Sequence, residues 1–83
     1  MAEKEIGRIT NYFSKIGVAV IDLTAPLQLG DAVRVKGGNR DFTQTVESMQ
    51  IEHQAIEKAE AGQEIALKLD QKARPNDTVY KVE

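Results

Sequence analysis

A chain of 83 residues is long enough for one small domain, and we treat residues 1–83 as that single domain. Hydrophobic residues make up 41% and charged residues 29%, with a net charge of −2, which excludes a disordered polyelectrolyte and argues against general attraction to nucleic acid. The chain has no cysteine, so disulfides and thiolate metal sites are excluded.

The start of the chain, MAEKEIGR, lacks the basic and then apolar order of a signal peptide. No apolar run approaches the length of about 18 residues that a membrane span needs. A chain without cysteine also suits a reducing compartment. We therefore expect a cytoplasmic protein with no membrane partner.

Strand patterns dominate the first third of the chain. A first strand is predicted over residues 5–13, although its apolar residues fit no single period. It pairs across the turn 14–16 with residues 17–23. Nearly every position of 18–23 is apolar, as in a strand that is buried on both faces or closed into a barrel.

The rest of the chain alternates turn signals with further strands. The predicted turns are centred on Gly30-Asp31, Gly37-Gly38-Asn39, Gly62 and Pro75-Asn76-Asp77, and the predicted strands cover 33–36, 41–53, 65–70 and 79–82. Asp31 and Asp77 occupy similar places before a small residue and a valine, where each carboxylate can accept hydrogen bonds from turn amides. Gly30, Asp31, Gly62 and Asp77 are therefore predicted structural turn positions.

Residues 54–61 alone have helical propensity. Eight residues are too few for a stable isolated helix, and Gly62 would end it. We expect at most a short helical turn near 55–60. The remaining pattern predicts an all-β domain of six strands, with turn signals every ten to fifteen residues, as in a sandwich or barrel.

The strand predicted over 41–53 changes its buried side. Phe42 and Val46 lie on even positions, whereas Met49 and Ile51 lie on odd ones. Parity decides which face of a strand a side chain takes, so an extra residue is needed near Glu47-Ser48. A β-bulge or a sharp bend at that point would supply it.

Several segments resemble known families. The blocks GRI at 7–9, LQLGDAVRV at 27–35 and AEAGQEIAL at 59–67 resemble the second domain of elongation factor Tu and its relatives. The segments YFSKIGVAV at 12–20 and DFTQTVESMQIEH at 41–53 are similar to the C-terminal barrel of the collagenase-like peptidase family, whose members include enzymes linked to RNA hydroxylation.

The first resemblance implies a six-stranded, antiparallel, closed barrel of the translation-factor type with Greek-key-type connections. No phosphate-binding loop of the form GxxxxGK[ST] is present, so the nucleotide-binding half of a translation GTPase is missing. In the peptidase family the catalytic part precedes the barrel, so no catalytic residue can be carried over. Gly30, Asp31 and Gly62 transfer as structural positions only.

His53 is the sole candidate for acid–base chemistry at neutral pH. On an extended strand Glu52 would point to the opposite face, and the nearest positions on the histidine's own side are Ile51 and Ala55. No serine or threonine is placed beside a base by the pattern. We therefore expect no catalytic residue, no metal site, no small-molecule cofactor and no enzymatic activity.

A basic and aromatic set forms the candidate RNA-binding surface. Residues 1–40 carry six basic and four acidic side chains, whereas 41–66 carry six acidic side chains and only Lys58 as a base. The basic set is expected to hold phosphates while its tyrosine stacks a base. Its members are Arg8, Tyr12, Lys15, Arg34, Lys36 and Arg40.

Within this set, Arg8 and Tyr12 share parity and are expected to project outward together. The alternatives are an ordinary solvated sheet face, in which Lys and Arg shield the edges, and a protein contact through the acidic region 47–64 or the hairpin tips. The sequence therefore leaves the nature of the bound surface open.

These observations predict a monomeric, non-catalytic binding module that contacts RNA or the translation machinery. The alternative is a stand-alone accessory barrel that docks onto a protein partner of the collagenase-like peptidase family. The expected partner is accordingly RNA, the ribosome or a protein.

Overall fold

The computed structural model describes residues 3–38 and 40–82, so Asn39 of the predicted turn lies outside the described residues. Within these ranges the protein is all-β, which confirms the predicted class, and every strand pairing is antiparallel. The strands are β1 Glu3–Phe13, β2 Val18–Leu23, β3 Leu27–Gln28, β4 Ala32–Gly37, β5 Arg40–Thr45, β6 Met49–Ile51, β7 Gln54–Ile56, β8 Lys58–Ala59, β9 Glu64–Lys68 and β10 Thr78–Val82.

Eight strands form one sheet in the order β5-β4-β10-β1-β2-β9-β6-β7, and β3 pairs with β8 separately. The prediction of six strands is therefore too low for three reasons. The segment 41–53 divides into β5 and β6, the segment expected to be helical contributes β7 and β8, and β3 forms where no strand was predicted. No helix among the described residues is long and apolar enough to cross a membrane.

Alternating side chains form one core. In β4, Val33 and Val35 are fully buried whereas Arg34 and Lys36 point away from them. A strand that buries one face in this way separates apolar from charged side chains at every step. The buried cluster also receives apolar side chains from β1, β2, β5, β6, β9 and β10.

Two register irregularities explain the missing period of the first strand. The pairing of β1 with β10 shifts between Glu5 and Gly7, and its pairing with β2 shifts between Ile9 and Asn11. Each shift inserts one extra residue, which changes the face that the following side chains take. Ile6 and Ile9 are both fully buried for this reason, although a regular strand would place them on opposite faces.

The predicted change of buried side between Val46 and Met49 is confirmed. Strand β5 ends at Thr45 and β6 begins at Met49, with Glu47 and Ser48 exposed between them. The Val46 backbone continues the pairing of β5 by one step beyond β4, since its N–H donates to Asp31 O at 2.8 Å. The chain bends after Val46, so one continuous segment forms β5 at one edge of the sheet and β6 near the other edge.

Gln44 joins two distant parts of the sheet. Its Nε2 donates to Lys68 O at 2.9 Å, and its Oε1 accepts from Asp70 N–H at 2.7 Å. The residue is buried and polar, and both ends of its amide are satisfied. The end of β5 is therefore tied to the chain that leaves β9.

The segment 54–61 forms strands instead of the expected helical turn. Strand β7 pairs with β6, and β8 pairs with β3, where Ala59 becomes fully buried. Helical propensity is worth less than about 1 kcal/mol per residue, so pairing and burial overrule it in a short segment. No local pattern in the sequence indicates the long-range pairing of β8 with β3.

Three turns have the same geometry. In each, the N–H of the fourth residue donates to the carbonyl of the first at 3.2–3.3 Å, and the fourth side chain accepts from the first N–H at 2.7–3.0 Å. The third residue has a positive φ: 90° at Gly30, 88° at Gly62 and 77° at Asn76. The turns are 28–31, 60–63 and 74–77, and they end in Asp31, Gln63 and Asp77.

Candidate functional site

Arg34, a member of the predicted RNA-binding set, is engaged by two carboxylates. Its Nε and Nη2 donate to the two carboxylate oxygens of Asp41 at 2.7 and 2.6 Å, and its Nη1 donates to Glu3 Oε2 at 2.8 Å. The Asp41 hydrogen bonds raise the pKa of Arg34 most strongly, and Arg34 in turn lowers the pKa of Asp41. The N–H groups of this guanidinium are directed at protein carboxylates, so fewer of them are left to donate to a phosphate.

Arg40 is engaged in the same way by Asp77. Its Nε and Nη2 donate to the two carboxylate oxygens of Asp77 at 2.8 Å each, and Arg74 N–H donates to the same carboxylate at 3.0 Å. The Asp77 side chain is only 3% exposed. The hydrogen bonds from Arg40, followed by the backbone bond from Arg74, lower the pKa of Asp77. A side chain at Gly37 would overlap this carboxylate, so the close approach requires glycine there.

Arg8 and Lys36 remain on one outer face. Both pair in register with Thr78, Arg8 from β1 and Lys36 from β4, so the three residues form a row across the sheet. Within residues 3–38 and 40–82 neither cation forms an ion pair. The row continues to Asp22 and Glu64 on one side and to Asp41 on the other, so it is a narrow basic strip between carboxylates.

Tyr12 does not project outward with Arg8, which corrects the expected parity. The register shift between Ile9 and Asn11 places Tyr12 opposite the fully buried Ala19, and its ring packs against the core. Lys15 is exposed in the turn between β1 and β2. The structure therefore brings Arg8 and Lys36 together and leaves Tyr12 and Lys15 apart from them.

His53 lies at a hairpin tip and not within a strand. Ile51 pairs with Gln54, so Glu52 and His53 are the two loop residues between β6 and β7, with φ of 51° and 67°. This replaces the expectation that they lie on opposite faces of an extended strand. In the part of the chain that the structure describes, no three acidic or histidine side chains converge as a metal site would require.

A cleft that the sequence did not predict lies between this hairpin and β9. Strand β6 pairs with β9 only at Met49 and Gln50, so the hairpin beyond them diverges from the sheet and leaves a space of about 570 Å³. We call this space the hairpin cleft. Its apolar lining consists chiefly of Phe13, Ile16, Val18, Val20, Ile51 and Ala66, and its acidic lining consists of Glu52 and Glu64.

One sequence signal pointed toward the hairpin cleft. The near-continuous apolar run of β2 predicts a strand that is buried on both faces or closed into a barrel, and only Ala19, Ile21 and Leu23 enter the core. Val18 and Val20 point the other way and are half-buried beneath the cleft. Because only one face of this sheet lies on the core, an apolar run along β2 also produces an apolar surface on the outer face.

Two curated proteins with similar sequences are much longer than this chain. The sequence is 38% identical over 77 residues to an uncharacterized protease of Methanocaldococcus jannaschii and 35% identical over 78 residues to a collagenase of Porphyromonas gingivalis. Each match covers 92% of this chain. The chain spans only 19% and 22% of the length of these two relatives. No family model matches the sequence.

The fold is similar to a domain whose crystal structures are known. It is the C-terminal domain of a Geobacillus thermoleovorans protein assigned to the U32 peptidases. One of its structures superposes with a TM-score of 0.89 and covers 96% of this chain and 93% of that chain, at 22% identity. Its selenomethionine variant gives 0.86, with 92% and 96% covered. At this identity the likeness concerns the fold.

Proposed function

We propose that this chain is a non-catalytic binding domain, equivalent to the C-terminal domain of the U32 peptidases, that docks onto a protein partner of that family. The observation that carries the proposal is the hairpin cleft, an apolar surface on the outer side of a sheet whose core lies on the other side. Exposed apolar surface of this kind commonly marks a contact with another molecule. The matches to a protease and a collagenase over 92% of this chain support the choice of family.

A non-catalytic role suits the placement of the ionisable groups. The buried carboxylate of Asp77 is occupied by Arg40, and the carboxylate of Asp41 is occupied by Arg34. His53 stands at a hairpin tip, in the loop between β6 and β7. Hydrolysis by side chains alone needs a nucleophile beside an oriented base.

Complex formation with the catalytic part of a U32 peptidase tests this proposal. The tagged chain is mixed with that catalytic part, prepared without its C-terminal domain and shown to be folded by circular dichroism. Sedimentation velocity should reveal a 1:1 complex, and the chain alone should leave gelatin and a fluorogenic peptide uncut. A folded catalytic part that sediments separately at all concentrations, or hydrolysis by the chain alone, would contradict the proposal.

Contact with RNA is the second candidate, and the row of Arg8, Thr78 and Lys36 favours it. Two cations flanking a hydroxyl can hold a phosphate, whereas Arg34 and Arg40 are already engaged. Titration with tRNA at two salt concentrations tests this candidate. Binding should weaken as salt rises and should be lost in the Arg8→Glu, Lys36→Glu double variant. Failure to bind at low salt would remove the candidate.

We further infer that the sheet curls into a closed barrel of the translation-factor type. The tie between Gln44 and the chain after β9 supports closure, because it joins β5 at one edge to the opposite half of the sheet. We also propose that the protein is a monomer and that it is located in the cytoplasm. Sedimentation equilibrium and cell fractionation test these two expectations.

A further inference from the structure

The hairpin cleft holds most of the large apolar surface that the described residues expose. Three large hydrophobic side chains are exposed among the described residues, and two of them, Phe13 at 46% and Ile16 at 61%, line the cleft. Beneath them lie the outward side chains of Val18, Val20 and Ala66. Clustering of this kind distinguishes a contact surface from apolar residues scattered singly over a surface.

The charges of the hairpin cleft have one sign. Glu52 and Glu64 line it, and its lining includes no Lys or Arg. Across the described ranges neither carboxylate takes part in an ion pair. In register, Arg8 lies in the same row as Glu64 with Asp22 between them, and Lys68 pairs with Val18 at the other end of the apolar floor. The cleft is therefore acidic at one end and complementary to a cation.

The hairpin tip supports a binding role independently. Two-residue loops with positive φ at both positions favour Asn-Gly, because other residues adopt this conformation at a cost of about 1–2 kcal/mol each. Here Glu52 and His53 occupy both positions, and both side chains line the cleft. Unfavourable backbone conformations of this kind concentrate at functional sites.

We propose that the hairpin cleft binds a segment of a partner protein in which a Lys or Arg side chain is adjacent to one or two large apolar side chains. The apolar side chains lie on Val18, Val20 and Ala66, and the cation lies between Glu52 and Glu64. The volume of the cleft is about 570 Å³, within the range of about 300–1,000 Å³ typical of pockets that bind a small molecule. A few side chains of a peptide are of comparable size. This inference rests on the proposed function, because it identifies the surface through which a protein partner is held.

Three synthetic peptides of equal length test the inference with the full chain. They are acetyl-GSLRFLGS-amide and the versions with Glu or Gln at the arginine position. Binding is followed by NMR, from the shifts of backbone amides in ¹⁵N-labelled protein. The arginine peptide should bind roughly fivefold or more tightly than the glutamate peptide at low salt, and this preference should shrink at high salt. The shifted amides should belong to β2, β9 and the 51–54 tip.

Matched variants separate the apolar and acidic contributions. Glu52→Gln with Glu64→Gln should abolish the preference for arginine while leaving the binding of the glutamine peptide unchanged. Val20→Asp should weaken binding of all three peptides. The control, Glu47→Gln with Glu57→Gln, removes the same charge from exposed positions that do not line the cleft and should behave as the original chain. Amide spectra report whether each variant is folded.

Several outcomes would overturn the inference. These are equal affinity for the arginine and glutamate peptides, shifts centred on Arg8 and Lys36, or no binding by any peptide at millimolar concentration. If tRNA changed the chemical shifts of the cleft amides and no peptide did so, the inference would also be overturned. If the complex with the catalytic part forms but is insensitive to Val20→Asp and to the double glutamate variant, the cleft assignment fails while the proposed function stands. If the peptides bind but the catalytic part does not, the choice of partner fails instead.

Discussion

Arg40 and Asp77 are joined by two hydrogen bonds of 2.8 Å although 37 positions separate them in the chain. The pair ties the start of β5 to the turn that leads into β10. Asp77 also accepts from Arg74 N–H within that turn. One carboxylate therefore maintains both a local turn and a long-range contact.

Replacing Asp77 with Ala should lower the free energy of unfolding by about 1.5–3 kcal/mol, because a buried acceptor of charge-assisted hydrogen bonds is removed. Urea denaturation followed by circular dichroism measures the change. Asp70→Ala is the control, since that residue is exposed in the loop after β9. Equal urea midpoints for the two variants would contradict the role assigned to Asp77.

Asp77 should also make the free energy of unfolding depend on pH. Its pKa in the folded state lies below its ordinary value of about 3.9, so the unfolded chain binds more protons at this group as pH falls. The stabilisation is therefore complete above about pH 4 and is lost as pH falls through the folded pKa. Urea midpoints of the original chain and of Asp77→Asn should converge between pH 5 and pH 2, as a series at roughly half-unit intervals would reveal. A difference that stays constant over this range would count against the linkage.

Gly30 and Gly62 should resist substitution by valine. Both have φ near 90°, and a Cβ at either position would meet no atom within 4 Å, so the cost comes from the backbone alone. Gly30→Val and Gly62→Val should each destabilise the fold by about 1–3 kcal/mol, measured by thermal melting. Ala61→Val, in the same turn without a positive φ, is the control. Unchanged melting of both glycine variants would refute the turn geometry.

Gln44→Ala should destabilise by about 1–3 kcal/mol, because it leaves Lys68 O and Asp70 N–H without their side-chain partner. The amide of Asp70 should also exchange faster with solvent, which hydrogen exchange by NMR detects. Thr43→Ala removes an exposed side chain from the same strand and serves as the control. If the amide of Asp70 remained equally protected, the contact across the sheet would be excluded.

Replacing Glu52 with Asn and His53 with Gly should stabilise the hairpin by about 0.5–2 kcal/mol, since both residues favour the left-handed conformation at a two-residue loop. The same variant should bind the arginine peptide more weakly, because one cleft carboxylate is lost. Thermal melting and the NMR titration measure the two effects. Glu57→Asn, outside the cleft lining, should produce neither. Lower stability would show that the tip is not strained.

The basic set shows what the local sequence pattern leaves undetermined. The alternation of β4 puts Arg34 and Lys36 on the face opposite Val33 and Val35. It did not reveal that Arg34 meets Glu3 from another strand. Whether a cation is available for a ligand depends on side chains supplied by strands far away in the chain.

The amino-acid sequence by itself determined the all-β class, the inward faces of the main strands, the glycine turns and the change of buried side before Met49. These features follow from local rules: side chains alternate along a strand, and particular residues permit a left-handed backbone. Only the tertiary structure decided the bulges of β1, the strands over 54–59 and the hairpin cleft. The bulge of β1 against β10, the pairing of β8 with β3 and the cleft arise where segments distant in sequence pair or diverge, whereas β7 pairs with its neighbour β6. In each case the free energy of the tertiary contacts exceeds the weak local preferences.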